Sequence, residues 1–262
     1  MPIAKRPASK YGGNTSCLTL EYMGQTIIMD AGSGITQWDL ATDSTIKQIA
    51  PIDILLSHLH IDHIVGLGVF SPFWDPHCSV RIHTLSRGLK TLKEQIFTPF
   101  LRPYWPLSLS DFANVECIEI WDLVPFELGF FTITPFLSAH PDYSVSFHIT
   151  ACGINIVYLL DSELSMLNEK QYAQLVNYCK NADLVIFDAA YSPADYKLKK
   201  GWGHSTIEDG FKLARVSLCK KMMFTHFSFE YSDQEIETLE AVTTSYGDNF
   251  FFARDGMEIC LR

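Results

Sequence analysis

The chain has 262 residues, with 20 Lys and Arg against 30 Asp and Glu, for a formal charge of −10. Phosphate backbones are gripped mainly by clustered cations, and the densest basic cluster is Lys197, Lys199 and Lys200, so a wide polyanion-binding surface is disfavoured. A composition of 47% hydrophobic and 19% charged residues excludes a disordered chain and fits a globular one with a sizeable core.

No apolar run approaches the ~20 residues of a membrane helix, and Met1 to Gly13 lacks the apolar core of a secretory signal. Seven cysteines, odd in number and without Cys-x-x-Cys spacing, suit reduced thiols in a cytoplasm.

In chain order, Cys17 to Tyr22 and Thr26 to Met29 are predicted to form a hairpin turning near Gly24, followed by a strand at Ile52 to Leu56. A helix is expected to start near His63 and run to Phe70. The aromatic and proline-rich stretch from Ser71 to Leu109 shows no clear period. Strands resume at Cys117 to Trp121, Phe131 to Phe136, Ser144 to Thr150 and Ile154 to Leu160, the last two joined by a Cys152-Gly153 turn. An alternating stretch follows: a helix at Glu169 to Lys180, a strand at Leu184 to Asp188, a helix at Thr206 to Leu218, a strand at Met222 to Thr225 and a helix at Asp233 to Tyr246. Capping-box spacing marks two helix starts, Ser205 with Glu208 and Ser232 with Glu235. Ile207, Phe211, Ala214 and Leu218 would form one apolar helix face. A closing hairpin, Phe250 to Ala253 with Met257 to Leu261, would turn at Asp255-Gly256. No linker or internal repeat interrupts the pattern, so residues 1–262 are expected to form a single α/β domain.

The chemistry concentrates after the third strand, in His58-Leu59-His60-Ile61-Asp62-His63. If the chain is still extended there, residues 58, 60 and 62 share one side, and the turn into the helix brings His63 back toward them. Imidazole nitrogen with carboxylate oxygen is a donor set that zinc accepts, and one catalytic zinc takes about three protein ligands. Four such groups in six residues, with more downstream, suggest two metals. Further donors should lie at other strand ends, where α/β folds assemble their sites. His140, Asp161 and His226 each follow a predicted strand. Singly, each reads equally well as a turn former or a polar rim residue. Gly201-Trp202-Gly203-His204-Ser205-Thr206 places His204 at the mouth of a helix N-terminus, where it would hold a phosphate oxygen or protonate a leaving oxygen. His77, His83 and His148 have no such context and are expected to be structural.

Taken together, these motifs resemble the metallo-β-lactamase superfamily over nearly the whole chain. Asp30, in Met29-Asp30-Ala31-Gly32-Ser33-Gly34, resembles the first motif, His58 to His63 the metal motif, and His140, Asp161 and His226 the third, fourth and fifth. The resemblance implies a four-layer αβ/βα sandwich with metals at one edge of two packed sheets. It also implies two divalent ions, zinc first with manganese or iron left open. His58, His60 and His140 would hold one ion and Asp62, His63 and His226 the other. Asp161 would bridge them, and Asp30 would organise the ligand loop.

Within the superfamily, Tyr11-Gly12-Gly13-Asn14-Thr15-Ser16-Cys17 and the His204-Ser205-Thr206 element resemble the phosphodiesterase branch. That branch contains ribonuclease Z, the cyclic-phosphate phosphodiesterase of phosphonate breakdown and the anti-Pycsar cyclic-nucleotide phosphodiesterases, the last being the nearest likeness. There are two departures. Only 21 positions separate His140 from Asp161, too few for the tRNA-gripping arm of ribonuclease Z, and Phe227 stands where relatives often have a second histidine.

The function implied is hydrolysis of a phosphodiester, in a small cyclic nucleotide, by a metal-activated hydroxide that Asp62 orients, with His204 serving the leaving oxygen. The alternatives are hydrolysis of another ester, a lactone or a β-lactam, ribonuclease Z-like cleavage of tRNA, and a non-catalytic binding protein. The aromatic segment Phe70 to Trp105 would either stack a base or serve as core. A cytoplasmic homodimer without a membrane or long nucleic-acid partner is expected.

Overall fold

A computed structural model describes residues 10–37, 51–75, 77–88, 90–243 and 245–262. The first nine residues of the segment read for a signal lie outside the described residues. The chain divides into two compact units, one built from Asn14–Trp121 and the other from Asp122–Arg262 with residues 10–13.

The first unit carries a five-stranded sheet in the order β1-β2-β3-β4-β5: Leu18–Tyr22, Gln25–Met29, Ile52–Leu55, Val80–Thr84 and Val115–Glu119. β1 and β2 are the antiparallel hairpin expected from the turn at Gly24, while β2 to β5 run parallel. Parallel strands covered on both faces read as continuous apolar runs rather than alternating ones. Ile27, Ile28 and Met29 on β2, with Ile52, Ile54 and Leu55 on β3, are buried accordingly.

Two elements in the Ser71 to Leu109 stretch escape the sequence reading. They are the strand β4 and the helix α2, Leu92–Phe97, whose start is a capping box of Thr91 with Glu94. Phe73, Phe97 and Phe100 of this stretch are buried in the unit's core with Phe70 and Phe112, so the aromatics are mostly core, and only Trp74, Tyr104 and Trp105 are exposed. The helix expected from His63 begins earlier: α1 covers Ile61–Ile64, and a 3-10 turn continues over Val65–Val69.

The second unit carries a seven-stranded sheet in the order β12-β11-β10-β9-β8-β7-β6. Its strands are β6 Phe126–Leu128, β7 Phe131–Leu137, β8 Val145–Ala151, β9 Ile154–Leu159, β10 Leu184–Asp188, β11 Met222–Thr225 and β12 Phe250–Phe252. β6 to β9 are successively antiparallel and β9 to β12 parallel. β7, β9, β10 and β11 therefore point the same way, and their carboxyl ends share one edge of this sheet. Helices α3 (Glu169–Cys179), α5 (Ile207–Ser217) and α6 (Asp233–Thr243) supply Leu175, Phe211, Leu213 and Ile236 to the core. A short α4, Pro193–Lys199, was not expected.

Three expectations fail here for tertiary reasons. The α5 cap is Thr206 with Asp209, because the Ser205 hydroxyl is already engaged in a 2.5 Å bond to the Ser162 carbonyl. Leu218 leaves the apolar face: it ends α5 in a left-handed conformation and is exposed. The closing hairpin does not form, since β12 pairs in parallel with β11 and residues 257–261 hold no strand. The Ser232–Glu235 box is present, and Thr244, inside the expected last helix, lies outside the described residues.

None of the seven cysteines is in a disulfide. Burial pushes the Cys17 thiol up to about 12, with the Asp30 charge adding to it. Among the described residues, no helix is long and apolar enough to cross a membrane.

Candidate metal centre

In the first unit the donors crowd the carboxyl ends of β2 and β3. Asp30 follows β2 in a left-handed conformation, φ 56, which turns the chain sharply off the strand. Its buried carboxylate then collects the loop that follows β3. The Ser57 amide donates to Asp30 Oδ1 at 2.7 Å, the Ser57 hydroxyl to Oδ2 at 2.9 Å, and His63 Nδ1 meets Oδ2 at 2.7 Å. Ser57 Oγ also lies 3.0 Å from His58 Nδ1.

With the Nδ1 atoms of His58 and His63 engaged, Nε2 is the atom each ring would offer to a metal. A metal-binding histidine typically donates its other ring N–H to a carboxylate in this way, which fixes its tautomer and orientation. The His58 ring centroid lies 4.4 Å from that of His60 and 4.3 Å from that of His63, and Asp62 Oδ2 stands 3.7 Å from His63 Nε2. Asp62 reaches this cluster from the first turn of α1, not from an extended segment.

Gly32 permits the tight turn behind the cluster, because a Cβ there would stand 2.3 Å from the Asp62 carbonyl. The first unit thus brings together His58, His60, Asp62 and His63, with Asp30 behind them.

In the second unit the common direction of β7, β9, β10 and β11 brings His140, Asp161, Asp188 and His226 to one sheet edge. Asp161 Oδ1 lies 3.3 Å from His226 Nε2, and Asp161 Oδ2 lies 3.9 Å from His140 Nε2 and 4.0 Å from His204 Nδ1. Asp161 and His226 both adopt left-handed backbone, φ 46 and 63. Non-glycine residues held there store about 1–3 kcal/mol each and cluster at functional sites. Asp161, Asp188, His204 and His226 each offer one ligand atom within 4.8 Å of the others, a spacing and donor set that suit a divalent cation.

Asp188 is the residue that sequence reasoning missed, together with Ser57. Yet Asp188 ends the apolar run Leu184–Phe187 just as Asp161 follows Ile154–Leu160, so the same strand-end rule points to it. Asp188 Oδ2 meets His204 Nδ1 at 2.9 Å. Burial disfavours the charged imidazole, but the Asp188 charge and hydrogen bond outweigh it and hold His204 above the ordinary histidine value. His204 stands two residues ahead of the α5 cap, Thr206, so Asp188 rather than the helix amides fixes its ring. The ring stacks on His226 with centroids 5.1 Å apart. Phe227 packs on Phe252 and Tyr11 instead of joining the cluster. His83 is buried on the Asp53 carboxylate at 2.8 Å, in keeping with a structural role.

A family model described as the β-lactamase superfamily domain matches residues 25–227, a span that includes every one of these donors. The chain belongs to the metallo-β-lactamase superfamily. It is similar to ribonuclease Z of Archaeoglobus fulgidus, 22% identical over 297 aligned positions that cover 94% of this chain and 92% of the relative. Among solved structures, the metallo-β-lactamase fold protein YhfI from Bacillus subtilis superposes with a TM-score of 0.69 at 18% identity, covering 95% of each chain. A diphosphatase of the PhnP family superposes with a TM-score of 0.64 at 18% identity, covering 95% of this chain and 86% of that one. The fold is therefore α/β of the metallo-β-lactamase type, and the chain is a metal-dependent hydrolase of this superfamily with candidate His and Asp sites for divalent ions.

Proposed function

We propose that this superfamily member hydrolyses a phosphodiester, in a small cyclic nucleotide, at a centre of two divalent ions, zinc in the first instance. His58, His60 and His140 would hold one ion and Asp62, His63 and His226 the other, with Asp161 available to both. When bound, such ions lower the pKa of water and balance the charge that develops on phosphoryl oxygens. The chain's own side chains do the rest. Asp62 orients the attacking water. His204, protonated and steered by Asp188, hands a proton to the leaving oxygen.

The observation that carries this reading is the His204–Asp188 pair, 2.9 Å apart and 4.0 Å from the Asp161 carboxylate. An acyl substrate with a good leaving group needs no such donor, whereas an alkoxide leaving from phosphorus does. Homodimerisation and a cytoplasmic setting belong to the same proposal.

A ribonuclease Z-like action on tRNA is the second reading, favoured by the relative that spans nearly the whole chain. Against it stand the charge of −10 and the segment between His140 and Asp161, which is taken up by the β8–β9 hairpin. The deciding experiment incubates metal-loaded protein with cyclic nucleotides, bis(p-nitrophenyl) phosphate, a lactone and thioester panel, and a precursor tRNA. Turnover of a cyclic nucleotide is expected. Two bound metals with no phosphodiester turnover would sink the proposal, and cleavage of the precursor tRNA alone would establish the second reading.

A further inference from the structure

Glu163 lies two positions beyond Asp161 and is 1% exposed. Burying a charge is costly unless hydrogen bonds to the charged form replace its hydration. Here the donors come from the loop that carries His204. The Gly201 amide donates to both carboxylate oxygens at 2.9 Å, the Gly203 amide to Oε2 at 3.0 Å, and the Tyr196 hydroxyl to Oε1 at 2.5 Å. Gly201 and Gly203 have φ of +88 and +92, which turns both N–H groups inward. Such a concavity of backbone amides usually receives an external anion. In this chain it is filled by the protein's own glutamate.

The neighbours of Glu163 clamp the same loop: the Leu164 amide donates to Ser205 Oγ at 3.0 Å and the Ser205 hydroxyl donates to the Ser162 carbonyl at 2.5 Å. The loop is drawn so close that a Cβ on Gly203 would stand 2.1 Å from the His140 ring. Asp188 bonds the His204 ring, and Glu163 bonds the amides of Gly201 and Gly203 just ahead of it in the chain.

We propose that Glu163 is a positioning residue that holds the 201–205 loop and thereby sets His204 against the leaving oxygen, a role that rests on the phosphodiesterase reading above. A misplaced proton donor matters only where the leaving group needs a proton. Glu163→Gln keeps the side-chain shape but turns an amide NH2 toward the glycine amides. It should leave metal content unchanged and raise hydrogen–deuterium exchange in the peptide holding Gly201 and Gly203. Turnover of a cyclic nucleotide should fall about 10²-fold with KM within about twofold, while bis(p-nitrophenyl) phosphate, whose leaving group needs no acid, changes by less than about threefold. In a His204→Ala background the same substitution should add no further loss. Tyr196→Phe, which removes one donor, should shift both readouts in the same direction by less, and serves where Glu163→Gln does not fold.

Equal losses on the two substrates, additive losses with His204→Ala, metal loss, or unchanged exchange would each overturn the assignment. A wild type that turns over no phosphodiester removes the phosphodiesterase reading instead, and the exchange experiment then still decides whether Glu163 holds the loop.

Discussion

His204 draws its character from one partner. Burial disfavours the charged form of a histidine, but the Asp188 charge and hydrogen bond at 2.9 Å outweigh it and raise His204 above its ordinary value. His204→Ala is expected to lower kcat on a cyclic nucleotide by about 10²–10⁴-fold, the usual worth of a general acid, with metal content near wild type by elemental analysis. Loss of metal would make His204 a ligand. Asp188→Asn should reproduce part of that loss, because an amide still reaches the ring but no longer favours the imidazolium.

In the first unit Asp30 plays the corresponding part. Its carboxylate takes three contacts from Ser57 and His63, which leaves it committed to orienting ligands. The ligand types at these positions were legible in the sequence because strand ends are. Their partners were less so, since His204 and Asp188 are 16 positions apart and Asp30 and His63 are 33 apart.

Strand β3 carries a second buried carboxylate, Asp53, whose neighbour in register on β4 is Arg81. Arg81 bonds it in bidentate fashion, Nε at 2.7 Å and one terminal nitrogen at 2.6 Å, and His83 Nε2 lies 2.8 Å away. Burial pushes the Asp53 carboxyl up, but the hydrogen bonds from His83 and Arg81 outweigh it and hold the group below its ordinary value. A carboxylate depressed in the folded state contributes stability above the ordinary carboxylate range and loses it as pH falls through the folded value. Acid unfolding followed by circular dichroism should therefore show a stability loss below about pH 4 that Asp53→Asn flattens. At neutral pH the same variant should cost about 2–3 kcal/mol, below the full price of breaking a buried pair because Arg81 is partly exposed.

This pairing across β3 and β4 was invisible beforehand because β4 itself was not recognised. Val80–Thr84 is five residues long and begins a few positions after the aromatic run, so no period stands out. The nearby Thr91–Glu94 box was legible in principle and marks α2. At α5 the frame Ser205-x-x-Glu208 matched the capping pattern, but the cap is Thr206 with Asp209. A contact with Ser162, 43 positions away, engages the Ser205 hydroxyl instead.

At the scale of the molecule, residues of the candidate site sit at strand ends under strain, with Asp161, His226 and the loop-organising Asp30 all in left-handed backbone. Clustered carboxylates and imidazoles in such positions leave the metal-free chain less stable than the loaded one. Anything that binds only the folded state stabilises it by mass action, about 2.7 kcal/mol at a ligand concentration 100-fold above Kd. Chelator treatment is expected to lower Tm by several degrees, with zinc restoring it; an unchanged Tm after complete metal removal would contradict a centre built from these residues.

The class of chemistry is legible along the chain. Donor identity, the interval from His58 to His63 and the placement of His140, Asp161 and His226 after apolar runs are local properties, readable along the chain. So are the alternation of helices and strands beyond Glu169 and the shortness of the segment between His140 and Asp161. The tertiary structure alone decided which group faces which. It set Asp188 on His204, Asp30 and Ser57 on His63 and His58, Glu163 in the glycine loop, and β12 beside β11 rather than folded back on residues 257–261. The reason is physical. Propensity and periodicity act over a few residues, whereas these pairings depend on strand order within a sheet, which brings together groups that no local pattern connects.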